Sequence, residues 1–315
     1  MLKKVELIIG REASVVRDLG DYCLRDTLEC GQLFRYERVT EGEHLPDHYV
    51  VTAAGRVIEV AQREPGELIF FGEDDAASDP AIRELFALDT SLEEIKRDVI
   101  SRTDSEWLRA AAEMGGGIAI LKQDPWEMLV SFIISQNNNI PRIRKIIREI
   151  SAEYGENLLL SQDGAKKCPL SRIDGTPCKE KCGKCGTCYS FPTAEDILKN
   201  PEGLLPSRPG FRYSYILDAA EKVASGKVRL DMIAAARSYA HTVEALKEIK
   251  GVGDKVASCV ALFGFANLEA FPIDVWMKRA IDTYFDGKLD PATLGRYAGF
   301  AQQYIFHRIR NTEKS

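Results

Sequence analysis

The chain has 315 residues, of which 45% are hydrophobic, so it is long enough to bury a substantial core and to hold two domains. Its net charge of −6 argues weakly against a nucleic-acid partner. No stretch approaches the roughly 20 apolar residues that cross a bilayer, and the apolar run at the N-terminus is too short for a signal peptide. These features predict a soluble, intracellular (cytoplasmic) protein with no membrane partner.

The charge is divided unevenly along the chain. Residues 1–115 carry 14 Lys and Arg against 25 Asp and Glu, a net of −11, and residues 116–315 carry 28 against 23, a net of +5. An anionic ligand, if there is one, is therefore expected to meet the second half. Ordinary variation in composition also produces such a division.

The pattern of apolar residues predicts an α+β fold with two domains. In the first 75 residues, alternation around a glycine turn in HYVVTAAGRVIEVAQ and the short run ELIFF indicate antiparallel strands. Amphipathic helices are predicted from about Pro80 onward, and GGG at 115–117 is a candidate boundary or hinge. We therefore predict a sheet domain with helices over 1–115 and an all-α domain over 116–315, with a cysteine-rich insertion at about 161–190.

One glycine turn in the helical half carries a lysine in an unexpected place. The segment LKEIKGVGDKVA predicts helix, Gly-x-Gly turn and helix, with Lys255 among small or apolar neighbours. The unpaired N–H groups at such a helix start favour an anion, and Gly251 and Gly253 would let a phosphate approach the backbone. A helix-hairpin-helix binds the phosphates of DNA in this way. A tight corner between two helices explains a lone Gly-x-Gly equally well. Asp274 follows nineteen residues later, where an N-cap is the plain alternative.

Lys255 and Asp274 together resemble the catalytic pair of the helix-hairpin-helix DNA glycosylases. The similarity narrows to the 8-oxoguanine DNA glycosylase family, because four further motifs occur in the family's order: ECGQLFRY, SFIISQNNNIPRI, PGFRYSYI and YAGFAQQYIF. The resemblance covers nearly the whole chain. It implies a bifunctional glycosylase/lyase that removes 8-oxoguanine, and formamidopyrimidines, from duplex DNA as a monomer without a catalytic cofactor.

The same resemblance assigns the two catalytic roles. Lys255 is implied to be the nucleophile that attacks the anomeric carbon and forms a Schiff base, and partial desolvation is expected to favour its neutral amine. Asp274 is implied to remain ionised and to stabilise the cationic sugar.

Further residues are implied to hold the base and the DNA. In the pocket, Gly31 offers its carbonyl to the ring N–H that distinguishes oxidised guanine, Cys259 and Phe306 sandwich the base, and Gln302 bonds its pairing edge. On the DNA, Asn137 fills the vacated space, Phe211 and Arg212 act as wedge and opposite-strand contact, and Arg142 reads the opposite cytosine. Core packing remains the alternative for Cys259 and Phe306, and a solvated helix face for Arg142. Trp276 stands where the family usually has histidine, which puts one phosphate contact in doubt.

Two other functions share part of this pattern. An endonuclease III-like glycosylase for oxidised pyrimidines would use the same lysine and aspartate, but its cluster cysteines follow the aspartate, and here none follows Cys259. A non-catalytic helix-hairpin-helix module would need neither Lys255 nor Asp274.

The insertion has no counterpart in the family pattern and suggests a metal site. Its cysteines are Cys178, Cys182, Cys185 and Cys188, with Cys168 as a more distant alternative. Four closely spaced thiolates with Cys-x2-Cys steps favour structural zinc. An iron–sulfur cluster and an unmetallated loop remain alternatives. We expect a folding or DNA-backbone role for this insertion, with Lys179, Lys181 and Lys184 suited to phosphate contact.

Overall fold

The computed structural model describes residues 5–39, 45–72, 78–161, 164–165 and 187–312. Its N-terminal part is a six-stranded antiparallel sheet with strand order β1-β2-β6-β5-β4-β3. The strands are β1 Val5–Ile8, β2 Arg11–Val16, β3 Tyr36–Arg38, β4 Asp47–Ala53, β5 Arg56–Gln62 and β6 Leu68–Phe71. Helix α1, Leu24–Glu29, lies between β2 and β3 in the chain.

The hairpin between β4 and β5 explains the register of the sheet. Ala53 pairs with Arg56 across a two-residue turn of Ala54 and Gly55, which have φ of +51° and +68°. Positive φ at both central positions is the geometry of a type I′ turn, whose twist matches that of the flanking strands.

The rest of the described chain is helical apart from a two-stranded ribbon, β7 Leu160–Ser161 with β8 Gly164–Ala165. The first group of helices is α2 Pro80–Leu85, α3 Leu92–Ser101, α4 Glu106–Gly115, α5 Pro125–Ser135, α6 Ile140–Tyr154 and α7 Ala194–Lys199. The second group is α8 Arg212–Ala224, α9 Leu230–Ala236, α10 Tyr239–Lys247, α11 Asp254–Phe265, α12 Val275–Tyr284 and α13 Ala298–Thr312. Two 3₁₀ helices span Pro201–Ser207 and Pro291–Tyr297. A sheet followed by helices confirms the predicted α+β class. None of the described helices combines the length and the hydrophobicity that a membrane span requires.

Helices α5 and α11 form the centre of the helical part. Asp124 caps α5 by accepting the Glu127 N–H at 2.8 Å, and Pro125 occupies its first turn, where a missing N–H costs nothing. The Phe132 and Phe263 rings stack at 5.6 Å between the two helices. A Cβ on Gly264 would lie 3.0 Å from the Pro125 Cα, so this glycine lets the helices approach closely.

The glycine run at 115–117 is tightly packed. A Cβ on Gly117 would lie 2.1 Å from the Asp21 carbonyl oxygen, and one on Gly115 would lie 3.2 Å from the Tyr304 ring. The Gly117 carbonyl also accepts the Cys23 N–H at 2.8 Å. These glycines bring the segment before α1 close to the end of α4, and bring α4 close to α13. The prediction of a boundary or hinge at this run stays a prediction.

Buried polar side chains join the sheet to the helices. Gln32 Nε2 donates to the Ala119 carbonyl at 2.8 Å, and its Oε1 accepts the Leu121 N–H at 2.9 Å. Arg35 pairs with Glu127 of α5 at 3.1 Å. The hydrophobic core is likewise continuous across residues 115 and 116, from Tyr22 to Ile309. Gln32 and Arg35 thus fix the position of the neighbouring Gly31 relative to α5.

Candidate active site

Lys255 is the second residue of α11 and directs its amine toward the end of α5. Its Nζ lies 3.4 Å from Ser135 Oγ and 5.3 Å from the centre of the Phe132 ring. The side chain is half-buried. Burial raises the pKa of the neighbouring Cys259 thiol, and Lys255 opposes that rise. The amine is therefore held in a confined, largely apolar place.

The turn before α11 has the geometry expected of an anion-binding hairpin. Gly251 has φ of +79°, and a Cβ there would lie 2.3 Å from the Tyr215 ring. Gly253 is the N-cap of α11, and no side chain caps this helix end. A Cβ on Gly253 would meet nothing within 4 Å. The N-terminus of α11 thus presents its backbone to open space.

Asp274 serves as an N-cap and also lines the pocket of Lys255. Its Oδ1 accepts the Met277 N–H at 2.8 Å at the start of α12. Within the described part of the chain, its carboxylate and the Lys255 ammonium do not form an ion pair. The N-cap bond fixes the carboxylate in place. Asp274 can therefore cap α12 and still have the predicted role in the pocket.

Lys255 and Asp274 face a common small cavity of about 70 Å³. It brings together both catalytic candidates and all four residues predicted for the base pocket, and its lining is Cys30, Gly31, Phe132, Lys255, Cys259, Phe263, Pro272, Asp274, Gln302, Gln303 and Phe306. Small-molecule sites usually span about 300–1,000 Å³. The cavity is therefore small for a ligand site.

The pocket wall opposite Lys255 is built from α13 and the start of the GQ-x-F-R segment. Gly31 has φ of +94°, which favours glycine, and a Cβ there would lie 3.9 Å from Phe306 Cε1. Gln302 is buried, and its Oε1 accepts a hydrogen bond from Gln303 Nε2 at 2.6 Å. Gln303 thereby orients the Gln302 amide so that its N–H groups are free to donate.

The residues predicted to meet DNA lie together near the start of α8. Asn137 is exposed and has φ of +47°, and Phe211 is 51% exposed. Arg142 is exposed on α6 and donates to the Arg208 carbonyl at 3.4 Å.

Arg212 lies at the start of α8 beside these residues. It is only 3% exposed and donates to backbone carbonyls of the protein, and its contact to the opposite strand stays a prediction. Burial lowers the pKa of its guanidinium, and nearby Arg142 lowers it further.

An exposed apolar patch surrounds Asp274. Ile273, Val275 and Trp276 are 37%, 79% and 39% exposed. The Arg279 guanidinium lies 5.6 Å from the Trp276 ring. Trp276 thus lies two residues after Asp274, at the position where the family usually has histidine. The phosphate contact of that histidine is therefore in doubt here.

Sequence reasoning missed three residues that shape this site. Ser135 and Phe132 contact the amine of Lys255, and Gln303 orients Gln302. All three lie inside the motifs SFIISQNNNIPRI and YAGFAQQYIF, and that position was their signal in the sequence.

The predicted metal site falls mostly outside the described residues. Cys168, Cys178, Cys182 and Cys185 are not among them. Cys188 is described: it is buried, and its carbonyl accepts the Leu158 N–H at 2.9 Å. Among the described residues, no three His, Cys, Asp or Glu side chains lie together in a way that could hold a metal ion. The zinc prediction therefore remains a prediction.

Comparisons with known proteins agree with the geometry of the site. Residues 14–129 match the sequence profile of the 8-oxoguanine DNA glycosylase N-terminal domain. The N-glycosylase/DNA lyase of Saccharomyces cerevisiae is 29% identical over 281 residues, covering 82% of this chain and 67% of the yeast protein.

Two solved structures are similar over nearly their whole length. MBOgg1, solved with a low-affinity DNA ligand, is 31% identical, with 99% of this chain and 100% of that chain covered and a TM-score of 0.79. The Clostridium acetobutylicum 8-oxoguanine glycosylase/lyase, solved with duplex DNA containing cytosine opposite 8-oxoguanine, is 28% identical, with 99% of each chain covered and a TM-score of 0.79. Together, the pocket, the sequence motifs and these matches show that the chain belongs to the 8-oxoguanine DNA glycosylase family.

Proposed function

We propose that the protein is a bifunctional DNA glycosylase/lyase that excises 8-oxoguanine, and formamidopyrimidines, from duplex DNA. The observation that carries this proposal is the common cavity of Lys255, Asp274, Gly31, Gln302 and Phe306. A lysine amine, a fixed carboxylate and a wall of residues that can recognise a base are the parts that such a reaction needs. The protein is proposed to act as a monomer on chromosomal DNA inside the cell.

In the proposed reaction, the neutral Lys255 amine attacks C1′ of the flipped nucleotide. The C1′–N9 bond breaks, its electron pair leaves with the base, and the base takes up a proton. The amine then loses its protons and the C1′–O4′ bond breaks with protonation of O4′, which gives a Schiff base. Removal of a C2′ proton from this Schiff base forms the C2′–C3′ double bond, breaks the C3′–O bond and releases the 3′ phosphate, so the strand is cleaved. The Asp274 carboxylate stabilises the positive charge that develops on the sugar.

The pocket wall supplies the proposed selectivity. Oxidised guanine carries a ring N–H that guanine lacks, and the Gly31 carbonyl is its proposed acceptor. Gln302 donates to the pairing edge through the N–H groups that Gln303 leaves free. Cys259 and Phe306 provide the surfaces between which the base stacks. A site built around a hydrogen bond rejects the analogue that lacks the donor, because the acceptor would be left unpaired.

Covalent trapping tests this function. We expect borohydride to link wild-type protein to a duplex containing 8-oxoguanine opposite cytosine and to link Lys255→Gln not at all. Asp274→Asn, which keeps the N-cap acceptor, should slow excision by at least about a hundredfold because it removes the negative charge.

Excision assays with several damaged bases distinguish the proposed function from the two alternatives. Excision of 8-oxoguanine and formamidopyrimidine, with thymine glycol left intact, is the expected result. Preference for thymine glycol would indicate an oxidised-pyrimidine glycosylase, and binding without turnover would indicate a non-catalytic module. Robust trapping by Lys255→Gln would overturn the assignment of the nucleophile.

We further propose that the cysteine-rich insertion holds structural zinc through Cys178, Cys182, Cys185 and Cys188. Support comes from the spacing of the thiols and from their preference for Zn²⁺. Metal analysis should find about one zinc per chain in colourless protein. A brown protein that absorbs at about 400 nm would indicate an iron–sulfur cluster instead.

A further inference from the structure

The Tyr215 ring contacts both Phe211, the proposed wedge, and the hairpin that precedes α11. It is half-buried on α8, one helical turn after Phe211, and side chains at this spacing are neighbours on one helix face. The two ring centres are 5.7 Å apart and the ring planes meet at 72°, which is the edge-to-face geometry that aromatic pairs prefer. Because Phe211 is 51% exposed, the Tyr215 ring supports a side chain that projects from the surface.

The same ring packs against the hairpin. A Cβ on Gly251 would lie 2.3 Å from an atom of the ring, so the turn and the ring are in direct contact. Lys250 places its Nζ 5.9 Å from the ring centre, which is within the range of a cation–π contact. The backbone N–H of Lys250 also donates to Asp218 of α8 at 2.6 Å. One aromatic side chain thus contacts both the turn that is proposed to bind phosphate and the ring that is proposed to wedge the duplex.

We infer that Tyr215 is a positioning residue that couples phosphate binding at the hairpin to the insertion of Phe211 into the duplex. This inference rests on the proposed function. A phosphate bound at the N-terminus of α11 holds the Gly251 backbone, the backbone holds the Tyr215 ring, and the ring restrains Phe211 in one orientation. Extrusion of the damaged base costs unstacking free energy, and a wedge that is already oriented loses less conformational entropy when it enters the gap.

Tyr215→Leu tests this coupling, because it keeps an apolar side chain but removes the ring. Single-turnover excision of 8-oxoguanine at saturating protein should fall about three- to tenfold, which is the range expected for the loss of an aromatic pair. Cleavage at a preformed abasic site should fall by less than about twofold, since no base has to be extruded. Tyr215→Phe is the matched control. It keeps the ring and should stay within about twofold of the wild-type rate in both assays.

Double-mutant cycles separate coupling from simple support. Phe211→Ala removes the wedge and Gly253→Ala weakens the hairpin, and the quantity compared is the excision rate constant divided by the Kd for the damaged duplex. With Tyr215 present, the loss in the double variant should be smaller than the product of the two single losses by at least about fourfold. In the Tyr215→Leu background, the two losses should multiply to within about twofold.

Three results would overturn the inference: equal losses of excision and of abasic-site cleavage in Tyr215→Leu, the wild-type excision rate in that variant, or a cycle that is equally coupled with and without the ring. Failure of the wild-type protein to excise 8-oxoguanine would instead overturn the proposed function. Rates are compared below the unfolding midpoints of all variants, and Tyr215→Met replaces the leucine variant if the latter does not fold.

Discussion

Gly251 and Gly253 lie two residues apart in the hairpin turn and meet different surroundings. Gly251 has a positive φ and touches the Tyr215 ring, so both backbone conformation and packing exclude a side chain. Gly253 has φ of −102° and open space where a Cβ would stand. Neither folding constraint applies to Gly253, and the space beside it is where a phosphate would approach the N-terminus of α11.

Alanine should therefore impair folding at Gly251 and DNA binding at Gly253. Gly251→Ala is expected to lower the free energy of unfolding by more than about 1 kcal/mol, because alanine is strained at this φ and collides with Tyr215. Gly253→Ala should fold as well as wild type but bind duplex DNA about tenfold more weakly, since its methyl group occupies the phosphate approach. Denaturant titration and fluorescence anisotropy measure the two quantities. Equal DNA affinity of Gly253→Ala and wild type would contradict the proposed grip.

For single residues, the sequence motifs predicted which side chains line the pocket, but they did not predict that Arg212 is buried. Lys255, Asp274, Gln302 and Phe306 could be assigned because their motifs occur together, and the fold brings them to one cavity. The burial of Arg212 depends on carbonyls 75 and 76 residues away along the chain. No local pattern reveals that an arginine will be satisfied by such a distant helix end.

Among the elements, α8 has contacts to the turn that precedes α11. Asp218 of α8 accepts the Lys250 N–H at 2.6 Å and the Lys222 ammonium at 2.7 Å. Lys222 also donates to the Glu248 carbonyl at 2.7 Å. Partial burial raises the pKa of the Asp218 carboxyl, but the bonds from Lys222 and Lys250 outweigh it, so the net pKa lies below the ordinary value. A single carboxylate thus ties helix α8 to the hairpin.

The lowered pKa gives this tie a defined dependence on pH. The ionised form is favoured by the folded state, so its contribution to stability is present above the ordinary aspartate pKa and is lost as the pH falls through the lowered value. Asp218→Asn should cost about 1–2 kcal/mol of unfolding free energy at pH 7 and very little in strong acid. Denaturant titrations of both proteins across the acid range measure the difference. A difference independent of pH would show that Asp218 acts through its shape alone.

Helix starts were predictable because capping is local. Asp124 followed by Pro125 marks the beginning of α5 in the sequence, and the structure has that cap. At the glycine run 115–117 the sequence could not distinguish a boundary or hinge from a close packing contact, because both require the same residue. The Asp21 carbonyl that excludes a side chain from Gly117 lies almost a hundred residues earlier, and only the fold reveals it.

For the molecule as a whole, the sequence anticipated a sheet followed by helices but not how closely they share a core. Gln32 bonds to Ala119 and Leu121, and Arg35 pairs with Glu127, so the GQ-x-F-R segment is a structural joint as well as the edge of the base pocket. The division of charge agrees with this arrangement, because Lys255, Arg142 and the hairpin all belong to the half with net positive charge. The negative half contributes the uncharged residues Cys30 and Gly31 to the lining of the pocket.

The exposed apolar patch of Ile273, Val275 and Trp276 has a thermodynamic consequence for DNA binding. A duplex whose flipped nucleotide reaches Asp274 must cover the residues on either side of it, and this removes apolar surface from water. The heat capacity change of binding should therefore contain a negative contribution, on the order of 0.45 cal/mol/K for each Å² of apolar surface covered. Calorimetric titrations at several temperatures should show the binding enthalpy becoming more negative on warming, with a shallower slope for the double variant Val275→Ser, Trp276→Ser. Parallel slopes would mean that the patch stays in contact with water in the complex.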